Sequence, residues 1–153
     1  MKVKSILLPI IALVVTATAY AQAKPEDLIR IRQASFRVIG WHCSRVKTLL
    51  EGQYDKEEVL AASTVIQSVA NAGLNPFFAP GTDKGIGFHD SKAKPEAVDP
   101  AQAAKLAEAI TGFRKDANEL VKVAATGDKE ATRTQFGNLT RHCKSCHDDF
   151  RVQ

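Results

Sequence analysis

Hydrophobic positions recur at alternating steps of three and four along most of this chain, and no segment shows the two-residue alternation of a strand. From about Pro25 to Leu50 the seam is Ile29, Arg32, Phe36, Ile39, Cys43, Val46 and Leu50, a spacing that keeps these side chains on one helical face. Pro25 suits a first helical position, and Glu26 and Asp27 complement the helix dipole in the first turn. A second stripe runs beside the first: Ile31, Ala34, Val38, Trp41, Arg45 and Leu49. This helix therefore has two faces to cover, one within its own bundle and one against a second subunit or an adjacent helix. Gly40 in its middle costs about 1 kcal/mol relative to alanine, and a close helix crossing would explain its presence.

Three more helices follow from the same pattern. One spans about Lys56 to Ala72, with Asp55 as cap, Glu58 three residues on, and Gly73 as a stop. Its stripe is Val59, Ala62, Ile66 and Val69. The third opens at Asp99-Pro100, repeats through Ala103, Leu106, Ile110, Phe113, Ala117, Leu120 and Ala124, and ends at Gly127. The fourth starts at Asp128 and carries Phe136, Leu139, Cys143, Cys146 and Phe150. The first and third connections are short and make their neighbours antiparallel. The middle one, 74–98, is long and rich in proline and glycine, and a loop of that length in a compact domain usually has a task. The predicted fold is all-α, an antiparallel up-down-up-down four-helix bundle.

The N-terminus changes the compartment. Lys2 and Lys4 precede the apolar run Ile6 to Val15, which is too short to span a bilayer, and Ala19-Tyr20-Ala21 presents small residues at a cleavage site. Residues 1–21 read as a cleaved secretory signal, leaving one domain over 22–153. Losing Lys2 and Lys4 takes 21 basic residues to 19 against 17 acidic ones, which is no nucleic-acid footprint. The cleavage also removes Met1, the only methionine. Three cysteines in an exported chain is an odd number, which argues against a disulfide scaffold. Cys43 reads as a buried thiol behaving as a small apolar group, or as an intersubunit disulfide.

The candidate chemistry lies in RHCKSCHDDF, residues 141–150. On a helix, positions i, i+3 and i+4 share a face, so Cys143, Cys146 and His147 point one way. Two thiols at that spacing suit thioether bonds to the vinyl groups of a haem, with His147 as the axial iron ligand. Zinc is an alternative, with Cys43 as a fourth ligand, although zinc ligands usually come from loops. A thioredoxin-like dithiol would need a preceding strand, and none is predicted. Arg32 sits at an inward seam position where an unpaired charge is costly; a haem propionate would satisfy it, and a snorkelling arginine is the other reading. Paired carboxylates, a nucleophile–base pair and a phosphate loop are all missing from the pattern, so no enzyme is expected.

The chain resembles the cytochrome c′ family on three stretches: AKPEDLIRIRQ at 23–33, FAPGTD at 78–83 and HCKSCHDDFR at 142–151. The last is the most specific, and together they extend over the whole domain. The resemblance implies one covalently bound haem c per chain. It places the distal contact on Phe36 and the propionate contacts on Arg32 and Gln33. Phe78 would pack on the haem, Thr82 and Asp83 would approach a propionate edge, and Arg151 would lie over the proximal pocket. Low-spin relatives carry a methionine at the distal position. This domain has no methionine, and phenylalanine cannot ligate iron, so a five-coordinate high-spin haem is expected. Among the histidines, His42 lies about 240° round the helix from Phe36, His142 is expected to face away from the haem side, and His89 lies in the loop.

What the resemblance implies for function is a periplasmic haem protein that binds small uncharged gases, NO and CO, at a crowded distal site. It would also exchange electrons with a periplasmic redox partner. The alternatives are a pure electron carrier and a zinc-stabilised structural bundle. A homodimer through the first and second helices, no nucleic-acid partner and no membrane attachment after processing complete the expectation.

Overall fold

A computed structural model describes residues 23–153; the expected signal, residues 1–21, and Gln22 lie outside the described residues. The helices are α1 (Pro25–Glu51), α2 (Lys56–Asn71), α3 (Ala103–Thr126) and α4 (Lys129–Phe150), joined in an antiparallel four-helix bundle. No strand occurs among the described residues, only the isolated bridges Ile86↔Asp90 and Ala93↔Arg151. The caps read from sequence are in place. The Asp55 carboxylate accepts from Glu58 N–H, and the Asp128 carboxylate accepts from Glu130 and Ala131 N–H, which satisfies amides that lack an intrahelical partner. Gly127 closes α3 at φ 82°, a left-handed conformation that a side chain would strain.

One start differs from expectation. Asp99-Pro100 opens a short 3₁₀ turn over Pro100–Gln102, and α3 itself begins at Ala103. The Asp99 carboxylate accepts from Ala101 N–H and holds the chain in that tighter turn first.

The seams pack as their periodicity requires. Ile29, Ile39, Val46 and Leu50 of α1, Val59, Ala62 and Ile66 of α2, and Leu106, Ala117, Leu120 and Ala124 of α3 are buried, with Leu139 and Phe150 from α4. Each large aliphatic side chain buried this way contributes roughly 1.5–3 kcal/mol. The packing is sequential: α1 on α2, α2 on α3, α3 on α4. Between α1 and α4 direct contact is sparse, and a cavity separates them. Phe36 and Cys43, two α1 seam positions that are only half-buried, both line it.

The second α1 stripe stays on the surface, with Trp41 67 % exposed and Ile31 and Val38 also exposed. Arg45 of that stripe pairs with Glu58 of α2. The place a side chain at Gly40 would take is open, so no close helix crossing occurs there among the described residues. The close approach is at Gly112 in α3 instead, where an added methyl would lie 2.5 Å from His142 Nε2.

Candidate functional site

The cavity between α1 and α4 has a volume of about 510 Å³, within the range of small-molecule and cofactor sites. Its α4 wall carries Cys143, Cys146 and His147, which the helical spacing brings to one side together. Phe36 of α1 and Phe78 of the middle connection also line it, their rings meeting edge to face with centroids 6.3 Å apart. Ile110, Phe113 and Phe150 give it an apolar lining. Its charged lining residues are Arg32, Arg37, Lys92 and Arg151, and no aspartate or glutamate lines it. A flat, largely apolar macrocycle bearing carboxylates fits such a lining.

Burial shapes the chemistry of the α4 residues. It pushes the Cys146 thiol up to about 11, with Cys143 and Asp149 adding to the rise, and it raises Cys143 as well. Both are therefore protonated thiols near pH 7. Among the described residues, no three His, Cys, Asp or Glu side chains converge to hold a metal ion, so Cys43, Cys143, Cys146 and His147 do not form a zinc cage. His147 is held below the ordinary histidine value, first by burial and then by the Arg151 cation, with Asp148 opposing. Its imidazole is thus neutral near pH 7, and a neutral imidazole is the form that ligates.

Arg32 is 6 % exposed and is satisfied in a way the sequence did not announce. Nη1 donates to Phe77 O at 2.9 Å and to Thr82 Oγ1 at 3.0 Å. Nη2 donates to Thr82 O at 2.6 Å and to Ser91 Oγ at 2.8 Å. The guanidinium also lies 5.1 Å from the centroid of the Phe78 ring. Gln33 is similarly engaged: its Oε1 accepts from Phe88 N–H at 2.7 Å and its Nε2 donates to His89 O at 2.9 Å. The two residues staple the middle connection to α1. Gly87 permits this, since a methyl there would lie 2.5 Å from Gln33 Oε1 and 2.8 Å from Ile29 Cγ2. Thr82 is fully buried under Arg32 and donates to Ala79 O at 2.8 Å. Neither Thr82 nor Asp83 lines the cavity.

Two histidines differ in placement. His42 does not line the cavity, as its angle on α1 predicts. His142, expected to face away, does line it. The missing side chain of Gly112 leaves a notch in α3 that admits the imidazole, and His142 Nδ1 lies 2.8 Å from Asp116 Oδ2. A mid-helix glycine opposite a histidine was the available clue. The sequence reading also missed Arg37 and Lys92, exposed residues that carry no periodic signal, and the role of Ser91.

The Cytochrome C′ family pattern matches residues 27–151. The chain is 43 % identical over 130 residues to a cytochrome c′ of Rhodocyclus tenuis, covering 84 % of this chain and 96 % of the relative. It superposes at a TM-score of 0.81 and 38 % identity on a solved cytochrome c′ with an unusual ligand-controlled dimer dissociation, covering 87 % of this chain and 100 % of that one. Variants of the Alcaligenes xylosoxidans cytochrome c′ have been solved with CO bound, at a TM-score of 0.72 and 30 % identity, and with NO bound in the ferrous state, at 0.74 and 28 %. In both, 86 % of this chain and 98 % of the relative are covered.

Proposed function

The chain belongs to the cytochrome c′ family, whose cofactor is covalently attached haem c, and on that premise we propose that it is an exported carrier of one haem that binds NO and CO and exchanges single electrons. When bound, the haem supplies an iron that takes a small ligand and changes oxidation state by one electron. The residues do the rest. Cys143 and Cys146 present both thiols from one helical face for thioether attachment. His147, four residues from Cys143, offers a neutral imidazole to the iron. Arg151 lies in the same cavity wall and places a cation beside that imidazole.

The opposite side is set by what it lacks as much as by what it holds. Phe36 offers no lone pair, and no methionine occurs beyond residue 1. Phe36 and Phe78 crowd the space, which favours small uncharged diatomics over bulky anions. The working protein is residues 22–153, released in the periplasm once residues 1–21 are removed. The exposed α1 stripe of Ile31, Val38 and Trp41 supports a homodimer through α1 and α2.

The observation that carries this reading is the convergence of both thiols, His147 and Phe36 on one cavity. Haem staining of a denaturing gel, followed by ferric electron paramagnetic resonance, tests it. A stained band with a high-spin signal is expected; an unstained band or a low-spin six-coordinate signal refutes it.

A further inference from the structure

We propose that His142, paired with Asp116, is a proton-binding site coupled to the haem, so that one electron entering the haem draws one proton from solvent onto that pair. The proposal rests on the haem reading above and extends it from electron exchange to the joint uptake of an electron and a proton. His142 stands between two spaces. On one side it lines the cavity that holds Cys143, Cys146 and His147. On the other it lines a second pocket of about 370 Å³, together with Asp116, Asn138, Arg141 and Ser145. It is the one side chain common to both linings. Gly112 makes this placement possible, because a methyl group there would lie 2.5 Å from Nε2. His142 Nδ1 lies 2.8 Å from Asp116 Oδ2, and the side chain is 42 % exposed, so water can deliver the proton.

The other charged groups of the cavity do not change state near neutrality. Arg32, Arg37, Lys92 and Arg151 line it, and arginine and lysine keep their charge there. Burial holds the Cys43 thiol protonated. Histidine is the side chain that titrates in this range, and three histidines line the cavity: His89, His142 and His147. His147 is assigned to the iron. His89 Nδ1 lies 2.8 Å from Asp90 O and 3.2 Å from Gln33 Nε2, and meets no carboxylate among the described residues. His142 does meet one, and a carboxylate favours the imidazolium. Its other charged neighbours are few. Arg141 of α4 is bonded to Asn138 Oδ1. On α3, Glu108, Lys115 and Glu119 lie within one turn of Gly112 or Asp116, and Glu119 is paired with Lys122. Reduction adds one negative charge to a cavity whose lining holds no aspartate or glutamate, and that charge tightens the hold of His142 on a proton. With Nδ1–H donated to Asp116, the proton gained sits on Nε2. One electron comes from a one-electron donor and one proton from water, and no bond forms other than that N–H.

The test uses the haem-loaded protein as wild type, H142Q, D116N and, as control, H89Q. Two readouts are taken: the midpoint potential between about pH 5 and 8, and the proton uptake on electrochemical reduction, followed with an indicator dye in weakly buffered solution. A proton held more tightly in the reduced state makes the midpoint rise as pH falls, by up to about 59 mV for each tenfold change in proton concentration. H142Q flattens this slope and lowers the uptake, while H89Q keeps both. D116N moves the sloping region to lower pH, because the imidazolium loses its counter-charge. A wild-type midpoint that is flat over this range overturns the proposal, as does an H142Q profile as steep as wild type. If the pair were only a tether between α3 and α4, H142Q would melt earlier with slope and uptake unchanged, which also overturns it. Should H142Q fail to load haem, D116N decides: a sloping region that stays in place overturns the coupling. A colourless wild-type product overturns the haem reading and the proposal with it, whereas a coloured product with a flat midpoint overturns the proposal alone.

Discussion

Replacing Arg32 with methionine tests the stapling of the middle connection most directly. Methionine keeps an unbranched apolar stem and removes the fork that bonds Phe77 O, Thr82 Oγ1, Thr82 O and Ser91 Oγ. Hydrogen bonds to a charged group contribute about 1.5–3 kcal/mol each. Against that gain stands the desolvation of a guanidinium with no carboxylate within ion-pair distance, a cost of several kcal/mol. The same burial lowers the Arg32 pKa, with the Asp83 charge opposing. Part of the loss is also recovered, because Ser91 Oγ donates to Thr82 O at 2.9 Å without the arginine. The net expectation is a destabilisation of about 3 kcal/mol. With an unfolding entropy of about 2.1 cal/mol/K per residue over residues 23–153, this lowers Tm by roughly 10 °C. Calorimetry of the haem-loaded protein measures the shift, and limited proteolysis should show new cleavage within residues 79–91. A Tm within about 2 °C of wild type and an unchanged cleavage pattern would refute the stapling role.

Three further outcomes are expected. Iodoacetamide at pH 8 should leave the native haem-loaded protein unlabelled, because burial raises the Cys43 thiol pKa and keeps it protonated; after denaturation, mass spectrometry should find one alkylation, and three would mean no thioethers. F36M places a sulfur donor where Phe36 lines the cavity, so the ferric absorption spectrum should move from high spin towards low spin; an unchanged spectrum would show that Phe36 does not face the iron. V38E puts a charge in the exposed α1 stripe, and light scattering should then report the monomer mass where wild type gives twice that value.

Much of this molecule was legible before any coordinates. The three-four repeat located all four helices, because seam burial and hydrogen-bonded caps are local properties of consecutive residues. The α4 part of the site was legible for the same reason: Cys143, Cys146 and His147 share a face by helical geometry alone. What the pattern did not carry was pairing across the long connection. Arg32 meets residues 45 to 59 positions away, and nothing periodic marks Ser91 or Thr82 as its acceptors. A buried arginine with no carboxylate within ion-pair distance points to an external anion, while the neutral loop acceptors that its Nη donors also meet carry no signal in the sequence. His142 was misplaced because its direction depends on a notch in a different helix, at Gly112.

The open seam between α1 and α4 bears on how the polypeptide assembles in time. Each of the three closed seams joins helices adjacent along the chain, so the scaffold zips up hairpin by hairpin, with short loop closures at the two ends and one longer closure across the middle connection. The first and last helices need not find each other. They stand apart as a slot, and a rigid disc can be slid into it from the side after the scaffold has formed.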